Sequence, residues 1–391
     1  MVGYVGHVGH ALVRRGVQAA SEGFKNGDGK PVEIKIPGWG QALLFTTFIV
    51  FTVILSSLEY TLKDVVATLA MVESPSAEIA LTSPPEDADP LMKNDGNVEE
   101  NAGPNVTLVR AKPITSKIRT TLRHLKSQAG PLSKWRGLVP FIFYNFTHAF
   151  VTKILDAVIP GFIPGRFFIF SSLSAVLLAR VHAAWTHTVI SMPSNKRFWR
   201  RMPPASSWRQ LALPAAVKAC AGYASLYVAV GFVYVLRLNR LNGNELATYK
   251  GVDWFLLALR VTSLVAVVLL SALFVTLPAI VTLVRVEASL LPEDSECIVP
   301  FDRSFAGKVV PAILGGSGAI GFVDAWRSFN WEARRRLVFL YVKITLVMFA
   351  VMIILMPIMV FEIWVVMGPA LQKLVADAQG QVSAQGEMHT W

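Results

Sequence analysis

The chain is 391 residues long, 53% apolar and 16% charged, with a formal net charge of +11 and two cysteines. A soluble globular protein carries about 25% charged residues, and the shortfall here is gathered into long apolar runs, which argues against a soluble core. Cys220, inside an apolar run, and Cys297, in a loop, supply neither a disulfide framework nor a metal cluster, and beside such runs a basic excess points to anionic headgroups and not to nucleic acid.

In chain order, residues 1–40 read as a polar N-terminal arm: no acid precedes Glu22, and Arg14 and Arg15 sit among Ala, Val and Ser, a composition like that of organelle-targeting stretches. The first candidate crossing, 41–60, is uncharged until Glu59, and its helix extends to residue 73. Residues 74–109 are rich in Pro, Asn, Asp and Glu and read as a disordered acidic loop, because they offer too little apolar surface to offset their ordering entropy. The remaining crossings fall at 138–160, 167–190, 211–236, 254–286 and 337–367, within a membrane bundle that occupies 110–367 and ends in a polar tail, 368–391. At about 20 apolar residues per crossing, the count is six. The expected fold is an all-α integral membrane protein with about six transmembrane helices and short amphipathic surface helices.

The links between crossings alternate in charge. Residues 110–136 hold eight Lys or Arg and no acid, and 191–210 hold five and no acid. Residues 286–336 hold six, diluted by seven acids. Because Lys and Arg resist translocation, these three loops are expected on one face of the membrane, beside anionic lipids, with both termini on the other.

The same three loops end alike. Trp135-Arg136 precedes the second crossing, Trp208-Arg209 the fourth and Trp326-Arg327 the sixth, as aromatic and basic interface anchors. Pro193 and Pro278 close the second and third odd-numbered helices as expected kinks, and Ser57 takes the corresponding place in the first. This order (odd helix, break, basic amphipathic stretch, Trp-Arg, even helix) resembles the mitochondrial carrier family, over residues 40–367. The resemblance implies three two-helix repeats around a central cavity, with a Pro-x-Asp/Glu-x-x-Lys/Arg signature on each odd helix. Here those positions read Ser57, Glu59, Leu62; Pro193, Asn195, Phe198; and Pro278, Ile280, Leu283. Only Pro193, Pro278 and Glu59 fit, so the charged pairs that close a carrier's gate are missing. The resemblance therefore implies a divergent, non-enzymatic member in a mitochondrial membrane, either a scaffold or insertion factor for membrane-protein partners or a mover of a small anion.

Ionisable residues within apolar segments carry what chemistry the sequence offers. Arg180 lies deep in the third segment, where snorkelling to an interface is hardest, with His187 on the same helical face. With His148 and Lys218 they form an expected polar cavity for an anionic solute or headgroup; interhelical hydrogen bonding is the plainer alternative. The glycine cluster Gly315-Gly316-Ser317-Gly318 lacks the Lys-Ser/Thr of a phosphate loop, and the seven His show no His-Glu-x-x-His spacing. No catalytic residue, cofactor or metal is expected, although a membrane-embedded lipid-handling enzyme, or a membrane protein without carrier ancestry, remains the alternative class.

Overall fold

The computed structural model describes residues 38–74, 77–82, 105–110, 113–158, 165–241, 249–310 and 314–388, the side chains of 77–82, 105–110 and 369–388 excepted. The expected N-terminal arm lies outside these residues almost entirely. Helix α1 runs Gly38–Val72, with a π-helical turn at Tyr60–Val66. Strands β1 (Ala77–Thr82) and β2 (Asn105–Arg110) follow, then helix α2 (Ile118–Ala129) and helix α3 (Leu138–Val158). Helices α4 (Arg166–Leu177) and α5 (Ala179–Ile190) form a bent pair, and α6 (Trp208–Val235) and α7 (Gly251–Ser289) are single long helices. The short α8 (Phe322–Arg327) leads into α9 (Trp331–Met388).

Five helices are long and apolar enough to cross a membrane, and the α4–α5 pair makes up to six. Their most apolar windows are at most 17% buried. A core helix in a soluble protein would hide that face, whereas here Phe45, Ile142, Phe255, Phe349 and Phe361 stand exposed.

One expectation fails locally. β1 and β2 pair antiparallel from Ala77↔Arg110 to Thr82↔Asn105, so the two ends of the stretch read as a disordered loop form a ladder. The physical reason is local composition: Val106, Thr107 and Val109 are β-branched and favour extended backbone, and Ile79 and Leu81 alternate with smaller or polar residues in the paired strand. Residues 83–104 lie outside the described ones.

The helices divide between two compact units. The first comprises Met1–Val65, Phe141–Ser174 and Tyr341–Trp391. Its apolar helices meet through few polar contacts: Thr47 Oγ1 donates to Glu362 Oε1 at 2.8 Å, and Arg166 Nε pairs with Asp156 Oδ1 at 3.0 Å. A Cβ on Gly40 would come 2.4 Å from Val366 Cγ1, so the glycine is what lets α1 and α9 approach there.

The second unit comprises Val66–Pro140 and Ala175–Leu340. Its core gathers Ala179 and Ala183 of α5, Leu211 and Ala215 of α6, and Leu283 and Val286 of α7 around Phe305, Ile320 and Ala325. Small residues on α5 and α6 allow close helix packing. The C-terminal part of α7, Leu277–Ser289, is buried on nearly every side, so it serves as the post on which the unit is built.

The expected proline kinks are only partly met. Pro193 stands beyond the end of α5 at Ile190, in non-helical chain, so it kinks no helix. The third apolar segment bends by 60° at Leu178 instead. That bend exposes the last carbonyls of α4, and Trp208 Nε1 donates to one of them, Val176 O, at 2.9 Å. Trp208→Phe, which keeps the ring but not the donor, is expected to cost about 1 kcal/mol in thermal unfolding of the detergent-solubilised protein. Pro278 does lie inside a helix, directly after the π turn Ala272–Thr276. The widened turn makes room at residue 274, whose carbonyl a proline four residues on can neither satisfy nor easily pass.

Candidate functional site

The second unit carries a polar cap made from the three basic loops. Loop one (113–137) meets loop two (191–207) through Arg136, whose Nε donates to Thr188 O at 2.6 Å and whose Nη2 donates to Ser191 O. Loop two meets loop three (290–321) in the antiparallel bridge Ser191↔Cys297, with Ile298 N donating to Ile190 O at 2.8 Å and Met192 N to Glu296 O at 2.7 Å. Loop one closes the ring, since His124 Nε2 donates to Ile298 O at 2.8 Å. The extension of α1 joins them: Ser74 N donates to Pro300 O at 2.9 Å. Glu73, nearly fully buried, accepts from Ile114 N at 2.6 Å and from the backbone and hydroxyl of Thr115.

Beneath the loops lie buried polar groups, of which the sequence reading singled out His187 and passed over Glu287 and Arg285. Glu287 on α7 is fully buried; its Oε1 takes His182 Nδ1 at 2.6 Å and its Oε2 takes Thr186 Oγ1 at 2.5 Å. His187, one turn on along α5, places Nε2 2.7 Å from Glu287 O and Nδ1 3.0 Å from Arg201 O. Arg285 on α7 donates to Ala325 O, Met71 O and Ser328 Oγ, each at 3.0 Å, with its guanidinium between the rings of Phe305 and Phe329. Phe305 holds a left-handed backbone (φ 50°), fixed by Asp302, whose carboxylate accepts from Ser304 N and Ala306 N on either side of it. Arg201 donates to the hydroxyls of Ser191 and Ser194, and burial lowers its guanidinium below the usual arginine range.

Of the residues expected to line a polar cavity, three have hydrogen-bond partners of their own among the described residues. Arg180 spends Nε and Nη2 on Pro203 O, at 3.0 and 2.8 Å. His148, in the first unit, reaches Ser171 O at 3.1 Å, while Ser174 Oγ donates to His148 O. His187 has its ring nitrogens against the two carbonyls just described, one of which takes the single N–H of a neutral imidazole, and Lys218 lies within electrostatic range of His182. For Arg180 the physical reason is that α5 starts at a bend, where the loop carbonyl of Pro203 comes within reach.

Of the expected interface anchors, Trp135, Trp208, Arg209 and Arg327 are exposed. Arg136 turns inward and caps the C-terminal end of α5 through Thr188 O and Ser191 O, where a cation also meets the negative end of the helix dipole. Trp326 is half-buried under Arg334, whose guanidinium stands 4.1 Å from the ring centroid. Gly316 is where the chain passes close to the Val310 backbone, since a Cβ there would clash with Val310 O.

The chain matches no family model, no curated protein and no solved structure. Among the described residues, no group of three or more His, Cys, Asp or Glu could hold a metal ion. The arrangement can bind, brace and orient. In loop one, the exposed Lys117, Arg119, Arg123 and Lys126 face away from the buried Thr121 and Leu125, so α2 offers a basic outer face, while segment 293–301 of loop three walls an open groove of about 750 Å³.

Proposed function

We propose that this chain is a multi-pass integral membrane protein that works as a scaffold or insertion factor, presenting a rigid polar cap on one side of its helices, in the manner of a divergent mitochondrial carrier. The observation that carries the reading is the mutual bonding of the three basic loops. Loops joined through Arg136, Ser191, Cys297 and His124 share one side of any bilayer the helices cross. That side is the one their Lys and Arg favour, in contact with anionic headgroups. Carrier-like repeats fit this arrangement, as each such loop joins an odd-numbered span to an even-numbered one. Pro193, outside any helix, speaks against a carrier's kinked third helix, so the ancestry rests on loop order and on Pro278.

Scaffolding is favoured over moving a small anion because the charges suited to an anion are spent. Arg180 binds Pro203, Arg285 binds Ala325 and Met71, and Arg201 binds Ser191. A cap braced by its own arginines holds a surface for partners, and those arginines are committed to protein acceptors.

Two measurements test this. The protein is expected to stay in the membrane pellet through alkaline carbonate extraction; release into the supernatant would end the membrane reading. Single cysteines placed at Lys126, Arg200 and Lys308 in a variant lacking Cys220 and Cys297 are expected to react with an impermeant maleimide from one and the same side of sealed vesicles. Labelling from opposite sides would refute the shared cap.

A further inference from the structure

Helix α2 carries a row of cations that the bracing of the cap does not use. Arg119, Arg123 and Lys126 follow at i, i+4 and i+7, so they line one side of the helix over about 10 Å. The opposite side is fixed to the cap: Thr121 and Leu125 are fully buried, and His124 Nε2 donates to Ile298 O at 2.8 Å. Thr120 and Thr121 each return a hydroxyl to Lys117 O, at 2.7 and 2.9 Å, which holds the first turn. Other cations of the cap are matched: Lys196 pairs with Asp294, Lys308 with Asp324 and Arg336 with Glu73. Among the described residues, none of the three side chains of the row pairs with a carboxylate. Residues 110–136 hold no acid that could reach them locally. Like charges at these spacings repel, so the row weakens the helix until an anion meets it.

The surroundings of the row select the anion. Cations suited to a lipid headgroup stand beside exposed apolar surface. Lys134 lies 4.5 Å from the ring centroid of Trp135, next to the exposed Leu132, and Arg335 lies 5.7 Å from that of the exposed Phe339. The row on α2 has no such surface. Its exposed neighbours are Thr120, Ser127 and Gln128, and none of the apolar side chains of α2 is exposed. A helix that enters a lipid surface needs an apolar outer face, and single-stranded nucleic acid needs aromatic rings to stack on. The outer side of α2 offers neither. Its guanidiniums fit carboxylates two prongs at a time, which a polar protein segment can meet in water.

We propose that this row docks an acidic segment of a partner protein, one that sets several Asp or Glu carboxylates along one side. Arg119 and Arg123 take carboxylates in bidentate pairs, and Lys126 adds a point charge at the far end of the row. Such a contact forms fast and weakens with salt. This partner class rests on the scaffold reading, but the two fail separately. Carbonate extraction and one-sided labelling report on the membrane and the cap, and peptide binding reports on the row.

The test uses the full-length protein in a neutral detergent and fluorescein-labelled twelve-residue peptides read by anisotropy. A peptide with Glu at every third or fourth position among alanines is expected to bind, and its glutamine counterpart about tenfold more weakly or worse. A variant carrying Arg119→Gln, Arg123→Gln and Lys126→Gln, with an unchanged melting temperature, is expected to lose about tenfold. A control carrying Arg200→Gln, Arg209→Gln and Arg240→Gln removes the same charge from other exposed sites and is expected to stay within about twofold. Arg119→Glu, Arg123→Glu and Lys126→Glu together are expected to transfer binding to a lysine–alanine peptide. Absence of binding, indifference to the α2 variant, or an equal loss in the control would each overturn the proposal. Three further results would do so by naming another occupant. These are binding that vanishes in nanodiscs containing phosphatidylserine, equal affinity of the same three residues for a uridylate oligonucleotide of equal charge, and tighter peptide binding once the acids of residues 83–104 are changed to amides.

Discussion

Arg285→Leu is expected to destabilise the protein by about 3 kcal/mol or more, through the Met71 carbonyl it leaves unpaired and the charge–ring stack it removes. Its guanidinium ties three parts of the second unit together: α7, the end of α1 at Met71, and α8 at Ala325 and Ser328. Removing it strands the Met71 carbonyl and leaves Ala325 O only the longer bond from the Ser328 hydroxyl. It also takes away the plate between Phe305 and Phe329, on which the left-handed Phe305 rests. Arg285→Lys is expected to recover less than half of the loss, because a single ammonium cannot span three acceptors or stack between two rings. Thermal unfolding in detergent, followed by tryptophan fluorescence with Trp326 close at hand, gives the number. Equal stability of the Arg285→Leu protein would show that the three contacts brace nothing.

Glu287→Leu is the second large effect, expected at about 3 kcal/mol, since it leaves His182 and Thr186 buried without their acceptor. Glu287→Gln retains the shape and one carbonyl oxygen, and the Thr186 hydroxyl can turn to accept from the new amide. Its expected cost is about 1 kcal/mol. The ratio between the two variants, measured in the same unfolding assay, separates the hydrogen-bonding role from the charge. If Glu287→Gln proved as damaging as Glu287→Leu, the negative charge beside His182, within range of Lys218, would be the essential feature.

Both residues escaped the sequence reading for the same reason. Arg285 and Glu287 stand at the end of the apolar run 254–286, where a charge reads as the start of a solvated loop. In the fold, α7 continues to Ser289 and those last turns are the most buried part of it. Arg180 stood between two readings in the sequence, cavity lining and hydrogen bonding within the fold. Mid-segment depth suggested a cavity residue, but the break at Leu178 turns the chain and brings Pro203 O within reach of its guanidinium. Periodicity reports apolar length well; it does not report where a helix bends, and the partner of a buried charge depends on the bend.

Arg136 shows the same division. Its neighbour Trp135 is exposed, as its aromatic character and place before an apolar run suggest. Arg136 itself turns inward to cap α5, 52 residues away along the chain from Thr188. A local motif can place a residue near an interface; which way its side chain points depends on which helix end happens to pass.

The sequence by itself determined the length and placement of the apolar helices, because a backbone in an apolar surrounding must satisfy its hydrogen bonds within the segment and so becomes a helix. It also determined which three loops carry the basic charge. Tertiary structure alone decided what those charges do: loops remote in sequence meet at Ser191, Cys297 and Ile298, and buried carbonyls draw arginines and histidines inward because an unpaired polar group in the interior costs more than any contact the same side chain could make with water.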